Sequence, residues 1–118
     1  MSVDSILKQK SMVFAKRIVR LYQYLGKEHR EYVMSKQILR SGTSIGANIA
    51  EAIYGSSRKD FASKLQIAQK EAAETLYWLE LLNNCDYIPN NLFESLSKDC
   101  RELLSLLCSS IKSTENNT

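Results

Sequence analysis

The segment SRKDFASKLQIAQKEAAETLYWLELLNN, residues 57–84, decides the fold. Phe61, Leu65, Ala68, Ala72, Thr75, Leu79 and Leu82 recur at alternating steps of four and three. On a chain that turns about 100° per residue, those steps put all seven on one side of an α-helix, whereas a strand would need a period of two. A rhythm held this long is the seam of a helix packed lengthwise against others. At about 1.5 Å per residue the element is about 40 Å long.

The same rhythm continues outward on both sides. Leu7, Ser11, Phe14, Ile18, Leu21 and Leu25 predict a first helix from about Asp4 to Gly26, capped by Ser2 or Asp4. After the charged stretch Lys27-Glu28-His29-Arg30-Glu31, a second helix is expected at about Val33 to Tyr54, with Met34, Ile38, Ile45, Ile49 and Ala52 inward. Gly55-Ser56-Ser57 ends it. The segment Asn83 to Asn91 is turn chemistry, and Pro89 fixes the entry to a fourth helix running to about Ile111 on Phe93, Leu96, Cys100, Leu103 and Leu107. Residues 113–118 are expected to fray. Short connections force consecutive helices antiparallel, so residues 1–118 read as one domain, an all-α, antiparallel, up-down-up-down four-helix bundle.

Composition agrees with that reading. One Pro and four Gly leave few breaks for strands and tight turns. A chain of 118 residues is enough for one continuous core and too short for two. No apolar run approaches the length of a membrane span, and the start MSVDSILKQK lacks a signal-peptide layout, so a cytoplasmic location is expected. Cys85, Cys100 and Cys108 contain no CxxC pair, and Cys100 and Cys108 stand about 12 Å apart along one helix. With His29 as the single histidine, no metal site and no cofactor are expected, and the thiols read as small core residues.

Charge is divided along the chain. Residues 1–70 carry 13 Lys and Arg against 5 Asp and Glu, whereas residues 71–118 carry 3 against 8. On the first helix Lys16, Arg20 and Lys27 fall within about 40° of one another, away from Phe14, with Arg17 nearby. That strip reads either as a phosphate-contacting surface or as a solvated helix face.

Two further features exceed what a core needs. Gln37, Arg40, Ser44, Asn48 and Glu51 form a polar stripe on the second helix, beside small residues that include Gly42 and Gly46. The stripe is read as a structural hydrogen-bond network. The alternative is a groove in which Arg40 holds an anion and Glu51 acts as a base, although no nucleophile or perturbed pair accompanies them by spacing. On the third helix Ile67, Tyr77, Trp78 and Leu81 project away from the seam, which suggests a subunit interface, the alternative being that Tyr77 and Trp78 merely cover the edge of the bundle.

The run Gln37-Ile38-Leu39-Arg40-Ser41-Gly42-Thr43-Ser44-Ile45-Gly46-Ala47-Asn48-Ile49-Ala50-Glu51-Ala52, with Arg58, Phe61 and Leu65 to Ala68, resembles the four-helix-bundle family encoded in 23S rRNA intervening sequences. Phe14-Ala15, Ile18 to Tyr22, Glu80 and the closing helix extend the resemblance over residues 9–112. Ala52 departs from the Gly that the pattern has after N-I-A-E. The resemblance implies small bacterial proteins of poorly defined role that assemble into ring-like homopentamers without catalytic activity. A related group serves diversity-generating retroelements and binds reverse transcriptase and nucleic acid through a basic surface. The expectation is therefore a non-enzymatic, oligomeric protein with no catalytic residues. It would associate with RNA or DNA through Lys16, Arg17, Arg20 and Lys27, with a nucleic-acid enzyme such as a reverse transcriptase as a further partner. A protein-binding scaffold is the alternative.

Overall fold

The structure is a computed structural model that describes residues 2–55 and 57–116. Ser56, in the break between the second and third helices, and Asn117 and Thr118 of the tail lie outside the described residues. Four helices follow in order: α1 (Val3–His29), α2 (Met34–Ile53), α3 (Arg58–Asn84) and α4 (Asn90–Asn116). They pack lengthwise into a body of 48 × 22 × 21 Å. Each helix meets its neighbours in chain order, and α4 returns to α1, which closes the bundle. Among the described residues no helix is long and apolar enough to cross a membrane.

The seams pack as their spacing demands. Leu7, Phe14, Ile18, Leu21 and Leu25 of α1, Ile38, Ile45 and Ile49 of α2, Leu65, Leu79 and Leu82 of α3, and Leu96, Cys100, Leu103 and Leu107 of α4 are buried together in one core. Each such aliphatic side chain contributes about 1.5–3 kcal/mol by leaving water. Inside this core the hydroxyls of Ser41 on α2 and Thr75 on α3 meet at 2.9 Å.

The first helix begins at an expected cap, whereas several other helix ends depart from the expected ones, each for a local reason. Ser2 caps α1, accepting a hydrogen bond from the Ser5 N–H. Gly26 does not stop the helix, which runs on to His29; Arg30 takes the left-handed conformation (φ 50°), and the Glu31 N–H closes onto the Leu25 carbonyl. Gly26 instead makes room for the Tyr32 ring, whose Cε1 would lie 3.1 Å from an added Cβ. Val33 supplies no side-chain cap for α2. Glu31 does so from outside, its carboxylate accepting from the N–H groups of Val33, Met34 and Ser35. At the far end the expected fraying from Ser113 is corrected: α4 stays helical to Asn116, and the Thr114 hydroxyl bonds back to the Ser110 carbonyl. The α3–α4 turn is held by Ile88, which is buried, while Asn83 donates to its carbonyl and to Asn90 Oδ1.

Small residues on α2 let α1 approach closely. A Cβ on Gly42 would stand 2.8 Å from Ile18 Cγ1, and one on Gly46 3.3 Å from Ser11 Oγ. Gly42 therefore lets α1 and α2 come together at a point where any side chain would collide.

Candidate nucleic-acid interface

The outer face of α1 is fixed by its inner one. Because Phe14, Ile18, Leu21 and Leu25 are buried, the residues half a turn away must face water. Lys16, Arg20 and Lys27 are there and exposed, and among the described residues they form no ion pair. Arg17 stands apart from them. Its guanidinium lies 2.6 Å from Asp99 Oδ2 and 2.9 Å from Ser95 Oγ, so it fastens α1 to α4. Lys10 does likewise with Glu102 at 2.6 Å. Of the four cations expected on the strip, three therefore stand without a carboxylate partner among the described residues.

A hollow of about 260 Å³ opens beside this strip, between α1 and α4. Leu21, Leu92 and Leu96 form its floor, and Tyr24, Arg17 and Arg20 its walls. At the same end of the bundle the His29 ring is held edge-on between Tyr24 and Tyr87, at centroid distances of 5.6 and 5.3 Å. Tyr32, 52% exposed, lies over Gly26 and donates its hydroxyl to the Gly26 carbonyl. Tyr24 and Tyr32 belong to no periodic signal, so hydrophobic spacing does not single them out. The pairing of Tyr32 with Gly26 leaves as its only trace a glycine where the first helix was expected to end.

The polar stripe of α2 runs along the seam with α3 and divides between partners. Arg40 bonds Glu71 at 3.0 Å and also Glu74, which takes the Trp78 indole N–H at 2.9 Å. These contacts shift the titrations in opposite directions. The Trp78 and Arg40 donors hold the Glu74 carboxyl below its ordinary value, and the Glu74 hydrogen bond raises Arg40. Glu51 pairs with Lys64 at 3.2 Å, Asn48 donates to the Ser44 carbonyl of its own helix, and Gln37 is exposed. Arg40 and Glu51 are about 16 Å apart along the helix axis and engage different residues of α3, so they do not converge on one reacting position. Gln69 donates to Cys108 Sγ across the α3–α4 seam. Among the described residues no group of three or more His, Cys, Asp or Glu is placed to hold a metal ion.

On the outer face of α3, Ile67 is 40% and Tyr77 56% exposed. Trp78 and Leu81 are half-buried, and the Trp78 ring meets Tyr77 edge-on at 5.1 Å. Of the four residues expected at an interface, Ile67 and Tyr77 carry most of the apolar surface in contact with water.

Comparison with known proteins follows the same outline. The profile of the 23S rRNA-intervening sequence protein family matches residues 3–109. A crystal structure from Bacteroides thetaiotaomicron, described as a protein of unknown function from the S23 ribosomal protein family, superimposes with a TM-score of 0.93 at 57% identity. The match covers 94% of this chain and 99% of that one. No curated protein matches.

Proposed function

Given that the chain belongs to the 23S rRNA-intervening sequence protein family, we propose that it is a non-enzymatic, oligomeric bundle protein of the cytoplasm that associates with RNA through the outer face of α1. One observation carries this reading: Lys16, Arg20 and Lys27 share the exposed side of one rigid helix without carboxylate partners among the described residues, whereas Lys10, Arg17, Arg40 and Lys64 are paired. Fixed, unneutralised cations attract phosphates and release their counterions, with little regard to base sequence. In a ring of five subunits the strip would be repeated to about fifteen cations, turning weak sites into a collective one.

The test is fluorescence anisotropy with structured RNA, single-stranded RNA and duplex DNA at two salt concentrations. Binding should weaken by about 0.7 to 0.9 logarithmic units per tenfold rise in salt for each phosphate engaged. It should also be lost in the triple variant Lys16→Glu, Arg20→Glu, Lys27→Glu. Absence of binding at low salt, or binding indifferent to the triple reversal, rejects the interface. A second reading, a protein-binding scaffold, is favoured by the exposed Ile67 and Tyr77 on α3 and would then stand first.

A further inference from the structure

Arg20 belongs to two features at once. It is the middle cation of the strip, and it forms part of the wall of the hollow floored by Leu21, Leu92 and Leu96. Along the helix axis it lies about 6 Å from Lys16 and about 10 Å from Lys27. A polyanion drawn to the strip therefore passes the mouth of an apolar recess. The recess also has an aromatic wall in Tyr24 and a planar guanidinium in Arg17, which Asp99 and Ser95 hold in place.

At about 260 Å³ the space falls just below the range of about 300–1,000 Å³ that suits drug-sized ligands. It suits one flat ring system with apolar faces. Nucleobases have such faces, and they gain from stacking against tyrosine rings and arginine planes. In a duplex those faces are spent on neighbouring bases, whereas in a single strand they are free to turn outward. The phosphate attached to such a base would lie at the rim, where Arg20 stands.

We infer that this hollow is a base-binding subsite for single-stranded nucleic acid: one unpaired base enters between α1 and α4 against Tyr24, while the flanking phosphates run along Lys16, Arg20 and Lys27. The subsite rests on the nucleic-acid reading above and adds to it a preference for strands that carry bases free to leave the stack. The strip supplies affinity that salt removes. The hollow supplies affinity that salt leaves largely alone.

The experiment compares two labelled single strands of about eight units, oligouridine and an abasic oligomer with the same phosphate backbone, by anisotropy at fixed salt. Oligouridine should bind at least about fivefold more tightly, the lower end of what base–aromatic stacking gives. Tyr24→Ala should abolish that preference, Tyr24→Phe should retain it, and Leu92→Trp, which fills the floor, should abolish it without removing the tyrosine. Circular dichroism verifies the fold of each variant. Equal binding of the two strands, or a preference untouched by both Tyr24→Ala and Leu92→Trp, overturns the subsite and leaves the phosphate strip standing. Failure of both strands to bind overturns the nucleic-acid reading and the subsite with it.

Discussion

Gly42 of α2 lies so close to Ile18 of α1 that a Cβ added to it would stand 2.8 Å from Cγ1 and 2.9 Å from Cγ2. Alanine at this position would gain about 1 kcal/mol of helix propensity. It would also drive a methyl group into a side chain that is fully buried and cannot swing away. Overpacking of that kind costs about 1–3 kcal/mol, so Gly42→Ala should destabilise on balance. At Gly46 the neighbour is Ser11 Oγ at 3.3 Å, a looser contact, and Gly46→Ala should be neutral or stabilising. Urea denaturation of the two variants checks the pair, and a stable Gly42→Ala would refute the close-approach assignment.

Glu31 gives the bundle a pH dependence. Burial pushes its carboxyl up, but the backbone donors Met34, Ser35 and Val33 outweigh this and hold it below its ordinary value of 4.5. A carboxylate depressed in the folded state contributes its stability above the unfolded value and loses it as pH falls through the folded one. Glu31→Ala should therefore cost about 1 kcal/mol at neutral pH, the usual worth of a helix cap, and progressively less in acid. Thermal melts of both proteins from pH 7 to pH 3 should converge. A constant gap would mean that Glu31 acts by packing alone.

The three thiols should differ in reactivity. Burial pushes Cys100 up to about 12, and its Sγ lies 3.3 Å from the Ala72 carbonyl. Cys85 is exposed and Cys108 partly buried. With a disulfide reagent at pH 8, Cys85 should react first and Cys100 only on unfolding, because the thiolate is the nucleophile. Fast labelling of Cys100 in the native protein, read by mass spectrometry, would contradict the core placement.

For self-association, Tyr77 is the residue to change. Trp78 also bonds Glu74, so replacing it would disturb the Arg40 network as well. Light scattering at micromolar concentration should give a multiple of 13.5 kDa, five subunits being the expected number. Tyr77→Glu should lower that mass without altering helicity. A wild-type mass near one subunit would exclude the ring.

Side chains that repeat made the fold legible. The four-three steps from Leu65 to Leu82 locate a buried seam whatever surrounds it, and every residue from Leu7 to Leu25 placed on the first seam is buried. Helix ends were less legible because they depend on single residues that belong to no repeat. Glu31 caps a helix that begins three residues later, and Arg30 adopts a conformation more usual for glycine. The strip on α1 could be traced by angle, but the commitment of Arg17 could not. Its partners Ser95 and Asp99 lie about eighty positions away and meet it only when the bundle closes.

That closure has a practical result. α1 and α4 are antiparallel neighbours, and Val3 and Asp4 line the same recess as Ser113 and Thr114. The beginning of the first helix and the end of the last therefore stand side by side, while the α2–α3 connection lies at the surface, where Gly55 and Ser57 are exposed. A short glycine-serine bridge could join the former and the chain be reopened at the latter, changing the order of the helices but none of their contacts. Such a circular permutant should fold to the same bundle and show which helix pair leads assembly, since the α1–α4 pairing, formerly the most distant along the chain, becomes the most local.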